Sequence, residues 1–260
     1  PAMHNAAYRA LGLDAHYEAY DVPPSDLARA VDDFRQRALR QFAVSIPHKE
    51  AMLELVDAVD PVARIIGAIN TVTRVGERLV GTNTDWIGAL RALERAMPIG
   101  GQRAVVLGAG GTARALVYGL LQRGCEVTVL NRTRARAEEL VRELGASAAG
   151  TLGELGELAP VIVVNTTSVG LDEDESPVAE DALSNDMVVL DAVYSPERTR
   201  LLRDAEARGA RTVGGKWMLV YQAVEQLRLW TRRLPDAPDD EAIEAIIDTM
   251  AAAFDAAGRA

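Results

Sequence analysis

The sequence predicts an α/β protein of two domains with a cleft between them, and three observations predict it. From Gln102 onward, short apolar strands alternate with helical patterns, which specifies a parallel sheet covered by helices. The run Pro98, Gly100, Gly101 is the one clear break in composition, with shorter βα units before it. Two helices close the chain that the second domain does not need, so the simplest path returns them to the first. The expected domains are 1–97 plus 220–260, and 98–219.

Taken in order, Ala2 to Leu11 reads as a helix stopped by Gly12. His16 to Val22 reads as a strand, and Leu27, Ala30, Val31, Phe34 and Ala38 follow at helical spacing. Gln41 to Ile46 reads as the next strand and Pro47 as the start of a helix. Ile69 to Thr73 and Leu79 to Thr82 flank Gly76 as a hairpin, and Asp85 to Ala96 is helical. Beyond the break come strands at Ala104–Leu107, Glu126–Leu130, Val161–Asn165, Met187–Asp191 and Arg211–Val213. Helices at Thr112–Gln122 and Ala135–Leu144 lie among them. The last two helices run from Lys216 to Arg232 and through Ile243, Ile246, Ile247, Met250 and Phe254 at amphipathic spacing.

Composition narrows the function. Of 260 residues, 48% are hydrophobic and 25% charged, as in ordinary globular chains, and no apolar run is long enough for a membrane span. A formal net charge of −10 disfavours an electrostatic hold on nucleic acid or an anionic membrane, so small-molecule chemistry is the default. The single cysteine, Cys125, excludes an internal disulfide and any multi-cysteine metal site. It reads as a small buried hydrophobe on a strand, in keeping with a reducing, cytoplasmic setting.

Gly108, Ala109, Gly110, Gly111, Thr112 and Ala113 stand between an apolar strand and a helix and satisfy the G-x-G-x-x-G/A dinucleotide pattern of a Rossmann-like domain. Gly110 lets backbone approach a pyrophosphate, and the helix N-terminus faces the anion. An NAD site commonly carries an acid at the end of the second strand, whereas this chain has Asn131, Arg132 and Thr133 there. Arg132 suits a ribose 2′-phosphate, so NADP is the expected cofactor. Arg134 and Arg136 either add to that clamp or are solvated helix charges.

In the first domain, Ser45-Ile46-Pro47-His48-Lys49-Glu50, Gly67-Ala68-Ile69-Asn70-Thr71 and Gly81-Thr82-Asn83-Thr84-Asp85 are unlike a generic core. Each ends a strand or opens a helix, so Lys49, Asn70 and Asp85 are candidates to converge at the carboxyl edge of the strands. Read singly they are a surface lysine, a turn asparagine and a helix cap. Together with PAMHN (1–5), GAGGTAR (108–114), NRT (131–133), NTTSVG (165–170) and GKWMLVYQ (215–222), in this order, they make the chain resemble the shikimate dehydrogenase family over nearly its whole length.

The resemblance implies reversible NADPH-dependent reduction of 3-dehydroshikimate to shikimate, on the chorismate route to aromatic amino acids, with Lys49 and Asp85 as the catalytic pair. The chemistry agrees: hydride addition builds negative charge on the ketone oxygen, and a nearby ammonium can supply its proton. The bland account of the same pair is a structural ion pair. The resemblance further implies substrate contacts from Ser45, Asn70, Tyr194 and Gln222, and cofactor contacts from Thr166, Thr167, Ser168, Gly215 and Met218. Helix packing is the alternative for Gln222, ring packing for Tyr194, loop hydrogen bonding for the hydroxyls and core packing for Met218. His4 and His48 read as packing or capping residues.

Two departures bear on substrate. Ala43-Val44-Ser45 replaces the family's commoner Asn-Val-Thr, and Trp86 stands where a small residue is common. A quinate or shikimate paralogue with altered substrate, or a silent NADP-binding sensor, are the alternatives. Glutamyl-tRNA reductases share the glycine and Asn-Arg-Thr motifs, but the acidic charge and the lack of a first-domain cysteine disfavour them. The expected partners are a small-molecule substrate and at most a second copy of the chain, with no metal. A strand and a serine-bearing turn, which the family uses for the substrate carboxylate, are expected before Pro1.

Overall fold

Described over residues 1–258, the computed structural model divides into two units, Pro1–Thr84 with the chain from Val220 on, and Asp85–Leu219. The first unit begins with α1 (Ala2–Ala10) and α2 (Leu27–Gln36), then β1 (Gln41–Ala43), β2 (Ala58–Val59), α3 (Pro61–Ile66), β3 (Thr71–Val75) and β4 (Arg78–Thr82). Its four strands lie in the order β1-β3-β4-β2. Leu27 and Val31, one turn apart on α2, bury against Ala63 of α3 and Val72 and Leu79 of the hairpin, with Met52 and Ile69 filling the layer.

β3 runs antiparallel to both β1 and β4. The carboxyl ends of β1 and β4 and the amino end of β3 therefore share one end of the sheet, which gathers Ser45, Asn70 and Thr84. The expectation of a uniform carboxyl edge is corrected here, because Asn70 enters its strand rather than leaving it.

The second unit comprises α4 (Asp85–Glu94), β5 (Arg103–Leu107), α5 (Gly111–Gln122), β6 (Glu126–Leu130), α6 (Arg134–Leu144), β7 (Ala148–Gly150), α7 (Leu155–Leu158), β8 (Ile162–Asn165), β9 (Val188–Asp191), α8 (Arg200–Ala207), β10 (Arg211–Val213) and the start of α9 (Gly215–Thr231). Six strands form one parallel sheet in the order β10-β9-β8-β5-β6-β7. Every residue of β8 and β9 is buried, as helices on both faces require. Val105, Leu107, Leu130, Val163 and Val189 of the strands meet Leu201 and Leu202 of α8 in the core. The last helix, α10 (Asp240–Ala257), packs on α1 in the first unit, which α9 joins from Val220 on.

The division falls at 84/85 rather than 97/98. Leu90 of α4 seats against Gly119 of α5, where an added β-carbon would lie 3.3 Å from Leu90 Cγ, so α4 joins the dinucleotide half. Two expected elements do not form. Residues 16–22 run as coil, held where Tyr17 exchanges two bonds with the Asn5 amide, at 2.8 and 2.9 Å. Among the described residues no strand lies beside them to complete a ladder. Pro47, in a cis peptide with Ile46, opens a turn and then a single 3₁₀ turn, Ala51–Glu54, instead of a helix. The short β2, α3, β7 and α7 escape hydrophobic periodicity because none is long enough to show a period.

Candidate active site

In the first unit the site is a closed polar cluster. Asn70 enters β3 with its side chain buried, and its Oδ1 accepts from Thr84 N at 2.8 Å and from the Thr71 hydroxyl at 2.8 Å. Its Nδ2 donates to Thr84 Oγ1 at 3.0 Å and to Gln222 Oε1 at 3.3 Å. Because Oε1 of Gln222 is the atom facing Asn70, the Gln222 amide nitrogen points away from it. Gln226, one turn further along α9, donates to Thr71 Oγ1 at 3.0 Å from beneath. A buried amide with this many partners has one orientation, so Asn70 and Gln222 present fixed faces.

Around this cluster, Lys49 is half-buried in the turn after β1, and its carbonyl accepts from Ile69 N at 2.8 Å, which ties the turn to the entry of β3. Ser45 is exposed in the same stretch, as is Ala43. The His48 ring holds Val22 O at 2.7 Å, which makes Nε2 its protonated nitrogen and gives His48 a structural task. His4 is buried and stacked on Tyr17 at 4.2 Å, and burial lowers its pKa to about 4.

In the second unit, Asp85 is the first residue of α4 and is 4% exposed, a carboxylate at the positive end of a helix. Trp86 turns its ring edge-on to Tyr118 of α5 at 5.5 Å, so the extra bulk beside Asp85 is taken up by helix packing.

The glycine turn joins β5 to α5. Gly108 has φ +111°, and a β-carbon there would stand 2.6 Å from Thr166 Oγ1, so only glycine fits. At Gly110 an added β-carbon would meet nothing within 4 Å, and no side chain caps the N-terminus of α5. Open space in front of uncapped N–H groups is what a pyrophosphate needs. Ala109 and Gly111 are half-exposed at this turn, while Thr112 and Ala113 are buried beneath it.

At the end of β6, Asn131 Nδ2 donates to Thr133 O at 2.9 Å, closing the turn that presents Arg132. Arg132 and Arg136 are exposed and carry no ion pair among the described residues, whereas Arg134 is held by Glu154 at 2.7 Å and by Ala149 O. The two unpaired guanidiniums and the open turn fit a dinucleotide with a ribose phosphate.

The hydroxyls after β8 point inward: Thr166 donates to Leu107 O and Thr167 to Asn165 Oδ1, both at 2.7 Å, with Ser168 exposed. Gly215 opens α9, Met218 is buried and Tyr194 is 44% exposed. Cys125 is buried and donates to Ile99 O.

Sequence reasoning missed Thr84, Thr71 and Gln226. The signal for Gln226 was its spacing of four from Gln222, which sets both on one helix face. For Thr84 it was a place inside an already suspicious motif. Among the described residues no group of three or more His, Cys, Asp or Glu is placed to hold a metal, and no helix is long and apolar enough to cross a membrane.

Comparison with known proteins yields two family matches, the shikimate dehydrogenase substrate binding domain over residues 1–72 and shikimate / quinate 5-dehydrogenase over residues 91–174. The chain is 46% identical to the shikimate dehydrogenase (NADP(+)) of Thermococcus kodakarensis, over 91% of this chain and 87% of that one. It superposes with TM-score 0.84 and 41% identity on the shikimate 5-dehydrogenase of Thermus thermophilus in complex with NADP(H) and shikimate, covering 96% and 94% of the two chains. The ligand-free 5-ketofructose reductase of a Gluconobacter strain is also similar, at TM-score 0.83 and 34% identity over 98% and 92%.

Proposed function

The chain belongs to the shikimate dehydrogenase family, and we propose that it interconverts 3-dehydroshikimate and shikimate with NADPH and NADP+. The observation that carries this reading is the buried amide and hydroxyl cluster of Asn70, Thr84 and Gln222, which presents fixed donors and acceptors suited to a polyol. NADPH, when bound, supplies the hydride that reduces the ketone carbon.

The chain's own residues do the rest. The Lys49 ammonium gives its proton to the carbonyl oxygen as the C–O π electrons move there, leaving an alcohol and a neutral amine that regains its proton from solvent. Asp85 accepts from a ring hydroxyl, and Asn70 and Gln222, giving up bonds within their cluster, take further hydroxyls, with Ser45 and Tyr194 as additional substrate contacts. The N-terminus of α5 takes the pyrophosphate and Arg132, joined by Arg136, the 2′-phosphate. Thr166, Thr167, Ser168, Gly215 and Met218 line the dinucleotide's path.

The 5-ketofructose reductase is a relative of similar structure named for a different keto substrate, so scaffold alone does not choose the ketone. Initial rates with shikimate, quinate and 5-ketofructose against both nicotinamide cofactors test the reading. Shikimate-dependent NADPH formation, well above that with quinate, is expected. Its absence while a different substrate turns over would replace the substrate assignment, and inactivity with all three would leave a dinucleotide-binding protein.

A further inference from the structure

The carboxyl ends of β8 and β9 carry Asn165 and Asp191, directly paired in the sheet register and each 0% exposed. A carboxylate so placed is costly unless every lone pair is used. Here Asp191 Oδ1 accepts from Asn165 Nδ2 at 2.9 Å and from Val193 N at 3.0 Å, and Oδ2 accepts from the Thr199 hydroxyl at 2.7 Å.

Each donor belongs to a different segment. Thr199 caps α8 by accepting from Leu202 N. Val193 precedes Tyr194. Asn165 in turn accepts at Oδ1 from Thr167 N at 3.0 Å and the Thr167 hydroxyl at 2.7 Å, and thereby fixes the turn whose Thr166 closes on Gly108. On the other side, the carbonyls of Asp191, Ala192 and Val193 come so close to Gly215 that an added β-carbon would lie 2.6 to 2.8 Å from them. The carboxylate thus fixes the turns after β8 and β9 directly, and through them the segments that face the glycine turn and the first residue of α9.

We propose that Asp191, acting through Asn165, is the positioning residue of the dinucleotide site, holding the turns after β8 and β9 in register against the glycine turn. It touches no cofactor atom by this account. The proposal deepens the cofactor assignment above and rests on it. Its reason is physical: a cofactor site is precise only when the groups behind its lining are themselves locked. An apolar residue would have filled the same buried volume at lower cost, whereas this carboxylate bonds to three separate connections.

The test compares Asp191→Ala, Asp191→Asn and Thr199→Val with the unmutated chain, reading NADPH affinity by energy transfer from tryptophan and folding by thermal melts. Asp191→Asn keeps an acceptor toward Asn165 and Val193, and its amide can donate to Thr199. Its NADPH Kd is expected within about threefold of the original. Asp191→Ala is expected to raise that Kd about tenfold or more in molecules that still melt cooperatively, and Thr199→Val to fall between. Where the alanine variant fails to fold, the ordering of Asp191→Asn and Thr199→Val decides. Unchanged Kd in Asp191→Ala or Thr199→Val, with only the melting temperature lowered, would overturn the positioning role and leave a structural one. An unmutated chain that binds NADPH but oxidises no shikimate would break the functional reading alone, and one that binds no dinucleotide would break both.

Discussion

The two halves of the molecule solve recognition by opposite means. In the first unit, side chains bind side chains: Asn70, Thr71, Thr84, Gln222 and Gln226 satisfy one another in the interior. In the second, the glycine turn exposes backbone, no side chain caps α5 at Gly110, and Arg132 and Arg136 stand without acid partners among the described residues. The ring hydroxyls of the proposed polyol acid need donors and acceptors of fixed orientation, which a buried and mutually bonded cluster supplies. An anionic dinucleotide needs N–H groups and cations left open, so its half is left unsatisfied where the ligand goes.

The largest effect that sharpens this contrast is at Lys49. Lys49→Ala should lower kcat by about 10² to 10⁴, as removal of a general acid does, with the Kd for NADPH unchanged. Single-turnover kinetics with a parallel binding titration check it. Comparable losses in both quantities would mean that the halves are not separable.

Next is Asn70→Ala. It strips partners from the Thr84 amide and the Thr71 hydroxyl, both buried, and should cost about 2 to 4 kcal/mol of stability. KM for shikimate should rise as the Gln222 face loosens. Denaturant melts and initial rates would show it, and a variant as stable as the parent would mean that the cluster is not the closed network its distances describe.

How much of this was readable in sequence differs between the halves for the same reason. The glycine turn is local, since Gly108 to Ala113 lie in one stretch and the strand, turn and helix around them have clear periods, so both turn and fold were legible. The first unit's cluster joins Asn70 to Gln222 and Thr71 to Gln226 across most of the chain, and no local period reports such pairings. The resemblance located Asn70 and Gln222, whereas the parts of Thr84 and Gln226 in the cluster are given by bond geometry. Residues 16–22 misled because alternation signals a strand without revealing whether a partner lies beside it.

A smaller effect sits in the second unit. Arg132→Asp replaces an unpaired cation with an anion where the 2′-phosphate is proposed to lie. The loss of one charge-assisted contact amounts to about 1.5 to 3 kcal/mol, about one to two decades in the ratio of NADP+ to NAD+ efficiency. The same substitution should leave KM for shikimate within about twofold. Equal use of both cofactors before any mutation would remove the role of Arg132.

The smallest effect concerns acid, to which the halves should respond with opposite sign. Burial lowers the pKa of His4 to about 4 from the ordinary 6.5, so between those values the unfolded chain binds a proton that the folded one refuses. Stability contributed by the neutral ring is full above pH 6.5 and is lost as pH falls toward 4. Taking pH from 7 to 5.5 should therefore cost the first unit about 1 kcal/mol. In the second unit, burial pushes the Asp191 carboxyl upward from 3.8, so its folded form holds protons more tightly than its unfolded form. Mild acid relieves that site rather than straining it. Hydrogen exchange at pH 7 and pH 5.5 should show faster opening of amides in α1 and β3 with little change in β8 and β9. His4→Phe retains a ring to stack on Tyr17 and has nothing to titrate, so it should abolish the acid sensitivity of the first unit. Persistence of that sensitivity in the variant would move its origin away from His4, and equal loosening of β8 and β9 would remove the difference in sign between the halves.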